Sequence, residues 1–260
     1  MPFTKVESLD VHYETQGRGD LVVMLHHGFG SSKIWKALIP DLVGHGYRVL
    51  VYDRRGYGRS EAGADFSDFF SSERYRPESV RELAGLVENL GLEPFHLVAQ
   101  CEGGVVGVDF AAACPDQVRS LAFSSTLCFS GERMDVWNQA AFAQRFDQLD
   151  EAFRDKMISW HGRDRAGEFY DQAMRRGGGG AYGLGVFDLR PDLAKVGCRT
   201  LVLYPDRSGL FGVEQGVAHY RNLGQGELSV LPRCGHHTYE QPEIYCREIL
   251  AFWDRCRSVR

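Results

Sequence analysis

Two residues able to carry covalent chemistry stand at punctuated places in this chain. Cys101 follows the apolar run "FHLV" and precedes a pair of glycines, in "AQCEGG" (Ala99 to Gly104). His236 follows Gly235 in "LPRCGHHTYEQPE", shortly before a last amphipathic stretch. A thiol among small residues where a strand gives way to a helix fits a strained turn that exposes a nucleophile, because bulky neighbours would collide with the crossing helix. An imidazole on a loop after glycine is placed to take the thiol's proton, with His237 as the alternative base. A free thiol ionises near ~8.5, and a histidine plus a helix amino terminus lower that value. The expectation is therefore a thiolate–imidazolium pair formed before substrate arrives. A third segment, "LHHGFG", brings His27, Gly28 and Phe29 to the end of another apolar run. Backbone amides of Phe29 and of Glu102, the residue after the thiol, are the expected donors to an acyl oxyanion, each worth on the order of 3 kcal/mol.

The elements that must hold these residues are short Val- and Leu-rich runs: "LVVMLH", "YRVLVYD", "FHLVAQ", "VRSLAFSS", "RTLVLYP" and "GELSVLP". Between most of them lie stretches with helical spacing, such as "SVRELAGLVENLGL" and "EIYCREILAFWDRC". Continuous apolar strands alternating with helices predict an α/β fold, a parallel sheet covered on both faces, with ligands collecting beyond the carboxyl ends of the strands. The alternation breaks between Leu127 and Asp188, a region rich in aromatic and charged residues that ends in "GGGGAYGLG" (Gly177 to Gly185). It reads as a helical lid on a glycine hinge, inserted between core segments 1–126 and 189–260. Its Trp137 and Trp160, with His27 and Gly28, are the candidate substrate contacts. "DRRGYGRS" (Asp53 to Ser60) reads as a structural turn held by Asp53 and Arg54.

Taken together, "HGFG" at 27–30, "DRRGYGRS" at 53–60, "AQCEGG" at 99–104 and "GHHTYEQPE" at 235–243 resemble the alpha/beta-hydrolase superfamily over essentially the whole chain. The resemblance implies a mostly parallel eight-stranded sheet, a helical cap inserted after the sixth strand, no cofactor, and acyl transfer by a nucleophile, a histidine and an acid. Two positions depart from it. The nucleophile is a thiol, and in "RTLVLYPDRSG" the place of the usual acid is held by Ser208. Either Ser208 or a backbone carbonyl then orients His236, with Asp206 as the fallback acid. Sulfur attack favours lactones, activated esters or thioesters, some carrier-bound, with release to water or transfer to another acceptor. Two other readings share the pocket: carbon–carbon bond cleavage on the same site, and a non-catalytic ligand receptor with a degenerate triad.

Composition narrows the partners. At 260 residues with 43% hydrophobic residues the chain can bury a substantial core, and a net charge of −5 gives no basic footprint for nucleic acid or an anionic membrane surface. No apolar run approaches the ~18 residues of a membrane span, and the polar start lacks a signal peptide's apolar centre, so the expectation is a cytoplasmic protein acting on a small molecule, as monomer or homodimer. Seven scattered cysteines without a CxxC pair predict neither a disulfide framework nor a metal site.

Overall fold

The computed structural model describes residues 2–258. Its sheet contains β1 (Phe3–Val6), β2 (Leu9–Gly17), β3 (Asp20–Leu25), β4 (Tyr47–Tyr52), β5 (Phe95–Gln100) and β6 (Val118–Ser124). Beyond β7 (Phe129–Arg133) and β8 (Val186–Asp188), it is completed by β9 (Arg199–Pro205) and β10 (Gly226–Leu231). The order is β1-β2-β4-β3-β5-β6-β9-β10. From β4 onward every pair is parallel, while β1 and β2 join antiparallel. This is the mostly parallel eight-stranded sheet expected. The six apolar runs are its six parallel strands. β5 is buried at every position and β3, β6 and β9 at nearly every one, which is why they read as unbroken hydrophobic stretches rather than alternating ones.

The helices are α1 (Ile39–Gly44), α2 (Phe66–Phe70), α3 (Tyr75–Leu90), α4 (Glu102–Ala113), α5 (Met134–Ala141), α6 (Glu151–His161), α7 (Arg163–Met174), α8 (Arg190–Leu193), α9 (Val213–Asn222) and α10 (Pro242–Arg257). α3, α4, α8 and α9 contact one another in turn, while α1 packs on β2 and β4 and α10 on β6 and β9. Between β6 and β9 the chain leaves the sheet through β7, α5, α6 and α7 and returns through β8, which pairs antiparallel with β7. This two-stranded ribbon at the base of the cap is an addition to the helical lid expected there. Among the described residues no helix is long and apolar enough to cross a membrane.

The tetraglycine stretch, expected as a hinge, is packed against the core. Gly177 to Gly180 are buried, and all four have positive φ, at 83°, 82°, 151° and 62°. A Cβ at Gly179 would lie 2.3 Å from the Phe70 carbonyl oxygen, and one at Gly180 would lie 2.1 Å from Glu102 Oε2. These glycines let the returning chain press against the core, so their role is close approach. Gly180→Ala should cost about 2 kcal/mol or more, from both the left-handed backbone and the clash, and lower Tm by several degrees. Gly185→Ala, in open space, should leave Tm nearly unchanged. Thermal unfolding of the two variants checks the contrast.

Candidate active site

β5 ends at Gln100 and α4 begins at Glu102, leaving Cys101 between them at φ 52° and ψ −118°. Few non-glycine residues hold a positive φ, and here the surroundings enforce it. The Cys101 amide donates to the Ser124 carbonyl at 2.7 Å, and the Cys101 carbonyl accepts from Thr126 Oγ1 at 2.9 Å and from the Gly104 amide at 2.8 Å. The glycines after the thiol are required because α4 crosses β3 and β6 at close range. A Cβ at Gly103 would meet the His26 carbonyl oxygen at 2.6 Å, and one at Gly104 would meet Thr126 Oγ1 at 2.0 Å.

The loop carrying His236 is fixed to the same turn. The His236 carbonyl accepts from Gln100 Nε2 at 2.8 Å and from Ser125 Oγ at 2.7 Å, with Ser125 itself at φ 55°. Gln100 Oε1 accepts from Ser124 Oγ at 2.5 Å and from Thr238 Oγ1 at 2.7 Å. Gln100 thus ties β5 and the His236 loop together, a role invisible in the sequence, where it is only the residue before the thiol.

Cys101, His236, His237, His27, Gly28, Phe29 and Trp137 all line one cavity of about 660 Å³ beneath the cap. Its cap-side wall is aromatic, with Phe142 and Phe153 meeting Phe29 edge-on at centroid distances of 5.1 and 5.7 Å. Trp160, expected as a substrate contact, does not line it. Its indole packs edge-on behind His27 at 5.0 Å, so it supports that ring from outside. The His27 imidazole accepts from the Phe29 amide at Nδ1 (3.3 Å) and contacts the Tyr239 hydroxyl at Nε2 (3.1 Å). The Phe29 amide, chosen as an oxyanion donor, is therefore engaged within its own loop. Burial, reinforced by His237 and His26, holds His27 far below the usual imidazole range.

Ser208 and Asp206 part company. Ser208 Oγ lies 3.1 Å from His236 Nδ1, whereas the Asp206 carboxylate accepts from the Cys234 amide at 3.0 Å and stays on a half-exposed turn. The Arg233 amide, joined by that of Cys234, keeps Asp206 below the usual carboxylate range. Asp206 closes the turn and does not approach the imidazole.

The protonation state also departs from the expected ion pair. Burial pushes the Cys101 thiol up to about 12, against the hydrogen bond from Tyr182 that lowers it, and burial with His237 nearby drops His236 to about 3. Desolvation disfavours the charged form of each group, so at neutral pH the site holds a thiol and a neutral imidazole. No hydrogen bond joins them in this state. The sulfur's partner is the Tyr182 hydroxyl at 3.5 Å, which also accepts from the Leu127 amide at 3.3 Å. With Leu127 donating to its oxygen, Tyr182 has its own hydrogen free for the sulfur.

Glu102 is turned away from the thiol. Its Oε1 accepts from Arg54 Nη1 at 2.9 Å, Tyr75 at 2.7 Å and Tyr57 at 3.2 Å, all buried. Arg54, read as a turn residue, thus reaches the elbow and neutralises its carboxylate. Among the described residues no cluster of three or more His, Cys, Asp or Glu is arranged to hold a metal ion.

The profile of the alpha/beta hydrolase fold family matches residues 20–181, and the chain belongs to that family. Over 273 residues it is 23% identical to a 2-hydroxy-6-oxo-6-phenylhexa-2,4-dienoate hydrolase of Burkholderia cepacia, covering 93% of this chain and 90% of the relative. Its fold is similar to that of the enol-lactonase from Burkholderia xenovorans LB400, with TM-score 0.74 and 17% identity over 97% of this chain and 100% of the other. It is also similar to a thermophilic esterase from Thermogutta terrifontis, with TM-score 0.74 and 22% identity over 98% and 97%.

Tyr182 escaped the sequence reading because no local motif marks it; the cap's return path brings it to the sulfur. Tyr182→Phe keeps the ring packing on Phe187 and removes the donor. Alkylation of Cys101 by iodoacetamide at pH 8, followed by mass spectrometry, should slow on the order of tenfold, since a hydrogen bond to an incipient thiolate is lost.

Proposed function

We propose that this protein is an acyl hydrolase or acyl transferase in which Cys101 attacks a lactone, activated ester or thioester. The observation that carries the reading is a thiol held at positive φ at the strand–helix turn, opening into a cavity that also contains His236. The cavity's aromatic lining favours an apolar acyl or aromatic substrate, and its volume suits a small ligand.

The sulfur attacks the carbonyl carbon while its proton passes to His236. Because both groups rest neutral, that transfer accompanies carbon–sulfur bond formation. The carbonyl π pair moves to oxygen, which the Glu102 amide stabilises, joined by the Phe29 amide once it leaves His27. The intermediate collapses by expelling the leaving group, which takes the proton from His236. Water or a second acceptor, deprotonated by His236, then attacks the thioester, and as the second oxyanion collapses the departing sulfur takes that proton back from His236 while accepting the Tyr182 hydrogen bond, which restores the neutral pair. A carrier-bound acyl group would suit the same steps, because thioester exchange is nearly balanced.

A second reading, carbon–carbon bond hydrolysis beside a ketone, is favoured by the near full-length similarity to the Burkholderia cepacia dienoate hydrolase. Product analysis on a β-diketone and on an acyl thioester separates the two. Turnover of neither would leave the receptor reading.

The direct test is intact-mass spectrometry after incubation with a panel of acyl thioesters and lactones. The native chain should gain one acyl mass and Cys101→Ala none, with turnover lost in the variant. Undiminished turnover by Cys101→Ala would overturn the proposal.

A further inference from the structure

The proposed chemistry requires His236 to accept the thiol's proton, and for that Nε2 must present a lone pair. Ser208 decides whether it does. Its Oγ accepts from the Leu210 amide at 3.2 Å and from the Phe211 amide at 3.1 Å, which occupies both lone pairs of a hydroxyl oxygen. The one capacity left is its own hydrogen, and its remaining neighbour is His236 Nδ1 at 3.1 Å. Ser208 therefore donates and Nδ1 accepts. A neutral imidazole carries a single N–H, so the hydrogen lies on Nε2. An ionised carboxylate at the same place does the reverse. It only accepts, draws the hydrogen to Nδ1 and leaves Nε2 free to act as base.

We propose that Ser208 is a positioning residue that holds resting His236 as its Nε2–H tautomer, so that the base-competent form is the minor one and the first proton transfer is braked. Among the described residues nothing else beside the ring reverses this. Phe211 and His237 meet it edge-on at 5.6 Å, and Asp206 is committed to the Cys234 amide. Reaching the base form requires net movement of one proton from Nε2 to Nδ1 by exchange with solvent, with the Ser208 hydroxyl turning away, which conserves charge and atoms. A dyad braked in this way selects acyl groups with good leaving groups, because they demand least of the base. Thioesters and strained lactones fit, and simple esters and amides do not.

The inference rests on the acyl reading for its kinetic consequence but not for the tautomer, which is measured without substrate. In the ¹⁵N-histidine-labelled full chain, the His236 ring signals are identified by their loss in His236→Gln. They should show Nε2 protonated and Nδ1 bare, and Ser208→Asp should reverse them. With an acyl thioester, Ser208→Asp should raise kcat/KM on the order of 10²-fold, a fraction of what a wrong tautomer costs a serine triad. Ser208→Ala, which releases Nδ1, should raise the rate severalfold. A hydrogen on Nδ1 in the native chain, a tautomer switch without acceleration, or an unchanged or lower rate in Ser208→Ala would each overturn the proposal. Should Ser208→Asp fail to fold, the native spectrum and the Ser208→Ala rate decide. Undiminished turnover by Cys101→Ala would sink the acyl reading and leave the tautomer standing.

Discussion

The site depends on a buried turn. Holding Cys101 at φ 52° between β5 and α4 exposes its sulfur to the cavity and at the same time keeps it out of bulk water. Access to the cavity and desolvation arrive together, and desolvation dominates the electrostatics. It raises the thiol and lowers the imidazole, so an ion pair of the kind that activates solvent-accessible thiols does not form at rest. Behind the neutral imidazole stands a hydroxyl, Ser208 Oγ at 3.1 Å from Nδ1, where an acid would both fix the ring's tautomer and support its charge once a proton moves.

The network beneath the turn follows from the same constraint. A carboxylate one residue from a desolvated thiol would add to the cost of any sulfur charge. Arg54, Tyr57 and Tyr75 converge on Glu102 Oε1 and satisfy it inside the protein. Breaking such a buried pair from one side typically costs about 3–5 kcal/mol, so Arg54 binds the β4 loop to the start of α4. Gly28 and Gly180 flank the other carboxylate oxygen, where a Cβ would fall 2.7 and 2.1 Å away. The loop after β3, the start of α4 and the returning cap are thus fitted around a single buried carboxylate.

The fold was legible where burial on both faces wrote itself into the sequence as unbroken apolar runs, which gave all six parallel strands. The β1–β2 hairpin was not, because an edge hairpin with alternating, largely polar residues carries little hydrophobic signal. Cys101 and His236 were legible from their glycine punctuation, and the structure brings them to one cavity. Trp160 was misplaced because aromatic residue type marks packing as readily as substrate contact. Gln100 and Tyr182 were missed because their roles come from tertiary meetings, across 136 residues to His236 in one case and 81 residues to Cys101 in the other. The upward shift of the thiol was not legible for a related reason: local sequence names the groups that would lower a thiol's pKa, whereas the depth of burial that raises it is a property of the whole fold.

That balance between desolvation and local stabilisation is open to direct measurement. Thiolate ultraviolet absorbance, recorded as the difference between the native chain and Cys101→Ala from about pH 4 to about pH 9, reports the ionisation of this one sulfur. A neutral resting site predicts no thiolate signal across that range. A full single-thiolate signal already present below about pH 7 would contradict it and restore the ion pair.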